Sequence, residues 1–179
     1  MEIPPVSKLR ICFYGKQPLF SYANWVLESD WIKKSQKIGL YMSMEKELRT
    51  DGIVRWCLEN NKEVYIPQFQ RGDKTMMMLR LEAGDQLEEV MWGIRQHPIG
   101  HSSPLSSPLH AIIIPGMAFS PSLSRLGHGA GHYDRFLLSH HAQYGIFPYR
   151  VGICLTEQIV HDLPTEPHDV SIDLLVSPS

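Results

Sequence analysis

The stretch RLGHGAGHYDRFL, residues 125–137, sets glycines at 127, 129 and 131 directly before a Tyr-Asp-Arg and an apolar run. Glycine has no Cβ, so a backbone built from it can come close to an anion. The loop leads into a helix expected over 132–143, with Phe136, Leu137 and His140 on one face. A helix N-terminus offers free N–H donors and a partial positive charge. Arg125 adds a planar cation suited to phosphate oxygens. Asp134 sits where a carboxylate could hold magnesium between phosphates. The chemistry this implies is phosphate binding. The plainer alternative is a glycine-rich turn ahead of a helix, with Asp134 complementing the dipole. Glycine spacing alone does not separate the two. The stretch is neither a P-loop nor a dinucleotide fingerprint, because it lacks Gly-Lys-Ser/Thr and the G-x-G-x-x-G spacing. His128 and His132 have a spacing that suits a helix, but they flank glycines in a loop, so a zinc pair is not expected there. His140 and His141 cannot both face one point on a helix.

The elements that must position this loop are short. KIGLYMS, residues 37–43, reads as a buried strand, and TDGIVRWCLENN, residues 50–61, as a helix with Thr50 as its cap. EVYIP, residues 63–67, is the next strand. Strand, helix, strand with short loops is a βαβ unit, so a parallel sheet is expected. MMMLRLE, residues 76–82, reads as a strand whose methionines pack against the sheet rather than touch a ligand. Residues 97–108 are a Pro- and Ser-rich loop. HAIII (110–114) and YRVGICL (149–155) are buried strands, and short strands are expected near 158–161 and 173–176. The first 20 residues show no clean period. The sum is an α/β fold: a three-layer α/β sandwich with a mostly parallel sheet and a Gly-rich loop leading into a helix N-terminus.

The chain has 179 residues and reads as a single domain over 1–179, with residues 1–25 atypical. At that length folding hides about 70% of the unfolded surface. The net charge of −2 argues against a protein that coats polyanions. Cys12, Cys57 and Cys154 are far apart and odd in number, which fits no zinc or disulfide framework. A reducing compartment follows. No apolar run approaches the ~18 residues of a membrane span. The expected location is the cytoplasm, with organelle targeting by the basic N-terminus left open.

The segment IIIPGMAFSPSLSRLGHGAGHYDRFL, residues 112–137, resembles the signature of the 5-formyltetrahydrofolate cyclo-ligase (methenyltetrahydrofolate synthetase) family. In that family a strand is followed by Pro-Gly-x-x-Phe and then Arg-Leu-Gly-x-Gly-x-Gly-Tyr-Tyr-Asp. YMSMEKELRT (41–50), KEVYIP (62–67), MWGIRQHP (91–98) and LPTEPHDVSIDLLVS match further family segments in order. The resemblance spans residues 31–177. It implies conversion of 5-formyltetrahydrofolate to 5,10-methenyltetrahydrofolate, with MgATP going to ADP and phosphate. Phosphoryl transfer of this kind is mostly positioning and charge neutralisation.

Carried over to this chain, Arg125, Leu126, Gly127, His128, Gly129, Ala130, Gly131, His132 and Tyr133 would form the ATP loop, with 128–132 also on the substrate side. Asp134 would be one magnesium ligand and Asp169 a second. Glu47 would contact the folate near the reacting centre. Met42 and Trp92 would line the pterin pocket, and Tyr133 would sit between nucleotide and folate. Arg125, Tyr133 and Glu47 would be the catalytic set. Taken singly, Met42 reads as core, Trp92 as packing, Glu47 as a solvated surface residue and Asp169 as a turn former.

Three departures from the family pattern stand out. The family's N-terminal helix carries Lys-x-x-Leu-Arg, whereas here Lys8-Leu9-Arg10 is a compressed echo among Pro4, Pro5, Gly15 and Pro18, which break a long helix. Ser120 stands where Asp is frequent. His132 replaces the first Tyr of Tyr-Tyr-Asp, and Ala130 replaces Lys or Gly, with a poorer tolerance of positive φ. The alternative function is therefore a folate/ATP-binding pseudoenzyme weakened through its N-terminus. A nucleic-acid-associated role lacks an RNP motif and a basic stripe. No nucleic acid and no membrane partner is expected, and the family implies a monomer.

Overall fold

Runs such as AIII, EVYIPQF and YRVGI carry too few polar positions to leave one face in water, so they become inner strands covered on both sides. A computed structural model of the chain describes residues 11–14, 21–45, 47–70, 72–90 and 93–178. Its strands are β1 (Ile11–Tyr14), β2 (Lys37–Gly39), β3 (Glu63–Phe69), β4 (Met76–Leu81), β5 (Glu88–Glu89), β6 (Arg95–Gln96), β7 (Ala111–Ile114), β8 (Ala118–Phe119), β9 (Arg125–Leu126), β10 (Tyr149–Ile153) and β11 (Leu174–Pro178). Its helices are α1 (Ser21–Glu28), α2 (Asp30–Lys34), α3 (Asp51–Glu59) and α4 (His132–Tyr144).

The central sheet has seven strands in the order β1-β11-β10-β7-β2-β3-β4. Every pair in it is parallel except β3 with β4. The expected βαβ unit is β2–α3–β3, paired Lys37 with Glu63 through Gly39 with Tyr65. One face packs on α1, α2 and α3 through Val26, Ile32, Ile53 and Cys57. The opposite face packs on α4 through Tyr133 and Leu137. Two apolar layers on one sheet make the three-layer arrangement, and fully burying each Ile or Leu contributes about 1.5–3 kcal/mol. A Cβ at Gly39 would lie 2.8 Å from Met78 Cε and 2.9 Å from Ile112 Cγ1, so only glycine lets β2 carry those neighbours. In β4, Met76 and Met78 are buried while Met77 faces out, which is the sheet packing expected of them. Cys57 and Cys154 are buried free thiols, both pushed up to about 12 by burial. No helix among the described residues is long and apolar enough to cross a membrane.

The expected and observed elements differ in a few places. The strand expected over 37–43 ends at Gly39; the Leu40 N–H still donates to Tyr65 O at 2.8 Å, and residues 41–44 continue outside the ladder. Thr50 does not cap α3 with its side chain. Its hydroxyl donates to Tyr41 O at 2.6 Å and accepts the Ser43 N–H at 3.1 Å, because the segment leaving β2 has unpaired backbone groups of its own. The strand expected at 158–161 is a single bridge between Phe119 and Ile159. β1 lies in a stretch that shows no period, and α1 and α2 are helices that the pattern reading did not place. Lys8 and Arg10 lie outside the described residues.

Candidate functional site

The parallel strands point their carboxyl ends at one rim of the sheet, where ligands bind in folds of this kind. β7 exits at Pro115 into the hairpin of β8 and β9, with Phe119 opposite Arg125. Ser120 closes that hairpin: its Oγ accepts the Ser124 N–H at 3.2 Å and lies 2.7 Å from Ser122 Oγ. The departure at Ser120 is therefore a turn residue, fully buried.

Arg125 lies beneath the glycine loop. Its Nη2 donates to Asp134 Oδ2 at 2.7 Å and its Nη1 reaches Pro115 O at 3.4 Å. The pair is almost dry, with the side chains 4% and 11% exposed. Arg125 Nε is buried with no hydrogen-bond partner. A Cβ at Gly127 would lie 2.9 Å from Arg125 Nη1, so this glycine lets the guanidinium pass under the chain. Gly131, at φ 63° and ψ 22°, is the residue before α4 and takes the left-handed conformation that favours glycine. Ala130 is not among the described positive-φ residues, so alanine there carries no backbone strain.

The first turn of α4 is tied to the β3–β4 turn. Arg135 Nε donates to Lys74 O at 2.9 Å, and His132 Nδ1 lies 2.9 Å from the same oxygen. Arg135 also donates to Ala130 O. His132 packs edge-on against Phe69, ring centroids 5.0 Å apart. Its imidazole is thus a brace as well as a loop residue. Asp134 is buried, and its Oδ1 accepts the Val170 N–H at 3.1 Å. The Arg125 guanidinium carbon stands 5.8 Å from the Tyr133 ring centroid.

Glu47 approaches this loop from the other side of the rim. Its Oε2 accepts the Met44 N–H at 2.9 Å. Burial raises its pKa above the ordinary carboxylate value, while the Met44 N–H and the nearby His128 pull it back. The Tyr133 phenol is pushed up chiefly by burial and further by the charge of Glu47, with Arg125 opposing. Glu47, His128, Tyr133, Arg125 and Asp134 therefore form one electrostatic neighbourhood, although Glu47 is remote from the rest in sequence.

The Glu47 loop is held by residues that the sequence reading did not single out. Arg95 Nη1 pairs with Asp51 Oδ1 at 2.7 Å. Burial raises the Asp51 pKa, but the hydrogen bond and charge of Arg95 outweigh it and the net shift is downward. Asp51 Oδ2 lies 3.4 Å from Ser43 Oγ, which accepts the Thr50 N–H at 3.2 Å. No local signal pairs Asp51 with Arg95, since they come from α3 and β6.

Other expected site residues sit apart. Met42 is buried in the apolar layer shared with α1–α3. Trp92 lies outside the described residues. Asp169 Oδ2 accepts the Glu166 N–H at 2.7 Å, closing its own turn next to Val170. A hard-oxygen donor set suits magnesium, which takes one or two carboxylates and keeps phosphate and water for the rest. Asp134 fits that role once Arg125 turns from it to an anion, whereas Asp169 would first have to release its turn. The rim thus offers one buried guanidinium and a carboxyl with an elevated pKa, which suits transfer of an anionic group coupled to a proton.

Comparisons with known proteins fall on this same architecture. Residues 17–178 match the family described as the 5-formyltetrahydrofolate cyclo-ligase family. A probable 5-formyltetrahydrofolate cyclo-ligase of Caenorhabditis elegans is 39% identical, over 84% of this chain and 77% of the relative. One of Schizosaccharomyces pombe is 32% identical, over 88% and 82%. The solved 5,10-methenyltetrahydrofolate synthetase of Aquifex aeolicus superposes with a TM-score of 0.71 at 24% identity, covering 89% of this chain and 77% of that one, and shares the fold.

Proposed function

The chain belongs to the 5-formyltetrahydrofolate cyclo-ligase family, and from that premise we propose how its rim carries out the reaction. The activity is ATP-dependent conversion of 5-formyltetrahydrofolate to 5,10-methenyltetrahydrofolate with release of ADP and phosphate. The formyl oxygen attacks the γ-phosphorus, the new O–P bond forms, and ADP leaves as the bridging P–O bond breaks. The second folate nitrogen then adds to the activated carbon and gives up its proton, and phosphate departs with the C–O bond.

In this reading residues 125–133 cradle the triphosphate. Arg125 exchanges Asp134 for phosphate oxygens, a charge-assisted contact aimed where negative charge develops. Asp134, with Asp169 as a second candidate, would hold magnesium, which when bound neutralises triphosphate charge. Glu47 contacts the folate and accepts the proton of the attacking nitrogen. Its elevated pKa brings it nearer the operating pH, as general acid–base work requires. Tyr133 separates the two substrates, and the pterin-side roles of Met42 and Trp92 rest on the family resemblance alone. The protein acts as a cytoplasmic monomer without nucleic-acid or membrane partners. No finding favours the binding-only alternative.

The observation that supports this reading best is the buried Arg125–Asp134 pair, 2.7 Å apart at the glycine loop, with Glu47 within electrostatic reach of Tyr133 and His128. The test is the near-ultraviolet absorption of the methenyl product from purified protein, 5-formyltetrahydrofolate and MgATP. A rise that needs both ATP and magnesium, and is lost in a folded Asp134→Asn variant, is expected. Folded parent protein that binds ATP yet forms no product would overturn the reading.

A further inference from the structure

Away from the rim, where β4 forms the sheet edge, two histidines and a carboxylate converge. The potential ligand atoms of Asp85, His97 and His101 all lie within 4.8 Å of one another. His97 Nε2 is 3.9 Å from Asp85 Oδ2, and the His97 side chain is only 1% exposed. That Nε2 is buried with no hydrogen-bond partner. A buried polar atom left unmatched ordinarily costs ~1–3 kcal/mol, so it calls for an occupant.

The hydrogen bonding leaves His101 with one free lone pair and His97 Nε2 with no partner. Ser103 Oγ donates to Arg80 O at 3.1 Å, so its oxygen is an acceptor for His101 Nε2, 2.9 Å away. That fixes His101 with its proton on Nε2 and its lone pair on Nδ1. Metal-ligating histidines characteristically give their second N–H to a carbonyl or hydroxyl in this way. Asp85 Oδ2 accepts the Glu82 N–H at 2.8 Å, which orients the carboxylate.

We propose that Asp85, His97 and His101 form a binding site for a divalent zinc-class ion. Two imidazoles and one carboxylate, with water in the fourth position, are a recognised donor set for zinc. Tetrahedral ligand atoms at bonds of ~2.0–2.1 Å stand roughly 3.4 Å apart. The Asp85–His97 separation is close to that. The two rings are stacked, centroids 3.9 Å apart and 3° from parallel, so His101 must turn out of the stack for both lone pairs to meet one ion. The ion would join the turn after β4 to the segment after β6, clipping the base of the β5–β6 hairpin. That hairpin carries Arg95, the partner of Asp51. The role is structural and separate from the folate chemistry.

The experiment uses tag-free, chelator-stripped full chain. Zn2+ is titrated against a chromophoric chelator, and Co2+ is added to a second sample for its visible spectrum. One Zn2+ per chain is expected, with Co2+ bands of a nitrogen–oxygen site and no thiolate charge-transfer band. Asp85→Asn and His101→Asn should each weaken uptake by at least about tenfold. His97→Gln tests the buried ligand, and the other two variants carry the decision if it fails to fold. Glu47→Gln should bind zinc like the parent. No stoichiometric uptake by folded protein, uptake unchanged in both Asp85→Asn and His101→Asn, or a thiolate band would each overturn the proposal.

Discussion

The loops at 125–131 and 41–51 approach each other over one rim but are held by different means. The first is shaped by backbone: Gly127 leaves room for Arg125, and Gly131 turns the chain into α4. The second is shaped by side chains: Thr50, Ser43, Asp51 and Arg95 hold the segment that carries Glu47. A backbone-built loop tolerates varied side chains and fails when a Cβ is added. A side-chain-built loop fails when one polar partner is lost. Ala130 illustrates the first kind, since its backbone takes no positive φ and needs no glycine.

The contrast can be broken most severely at Arg125. Replacing it with Met leaves the buried Asp134 carboxylate without its cation, and removing one partner of a buried pair costs roughly 3–5 kcal/mol. Denaturant unfolding should show that loss, and Arg125→Met combined with Asp134→Asn should recover part of it.

Glu47→Gln should lower kcat by about a hundredfold or more, the lower range for loss of a general base. Its effect on stability should be opposite in sign. Burial raises the folded-state pKa of Glu47, so its favourable contribution is present below the unfolded value of 4.5 and is lost as pH rises through the folded value. At neutral pH the neutral amide should therefore unfold no more readily than the parent, as read by thermal melts.

Gly131→Ala forces a side chain onto φ 63° and should cost roughly 1–2 kcal/mol while raising the KM for ATP. Arg95→Gln is the mildest change. The pair it breaks is about one-third exposed on both sides (36% and 36%), so about 0.5–1 kcal/mol is expected, shrinking in high salt, with a rise in the KM for folate.

The same contrast explains what the sequence made legible. The glycine loop, the Arg and the Asp are contiguous, and their local order carries the resemblance. The inner strands 63–69, 111–114 and 149–153 are apolar on both faces and read directly as buried. Thr50 takes the N-cap position of α3 as expected, but its hydroxyl serves the chain leaving β2 instead of the helix. Asp51 and Arg95 were invisible because pairing between α3 and β6 exists only in three dimensions. The strand Ile11–Tyr14 pairs with β11 at the far end of the chain, and no local period marks such an element.

The central claim is that the two loops form one site. Its most direct test is the pH dependence of kcat/KM for the folate in the parent, Glu47→Gln and His128→Asn. The parent should show an acid limb above the ordinary glutamate range, and Glu47→Gln should lack it. Because His128 pulls the Glu47 pKa down, His128→Asn should move that limb to higher pH. A limb at the ordinary carboxylate position, or one that stays in place in His128→Asn, would mean that the glycine loop and the Glu47 loop do not act on each other.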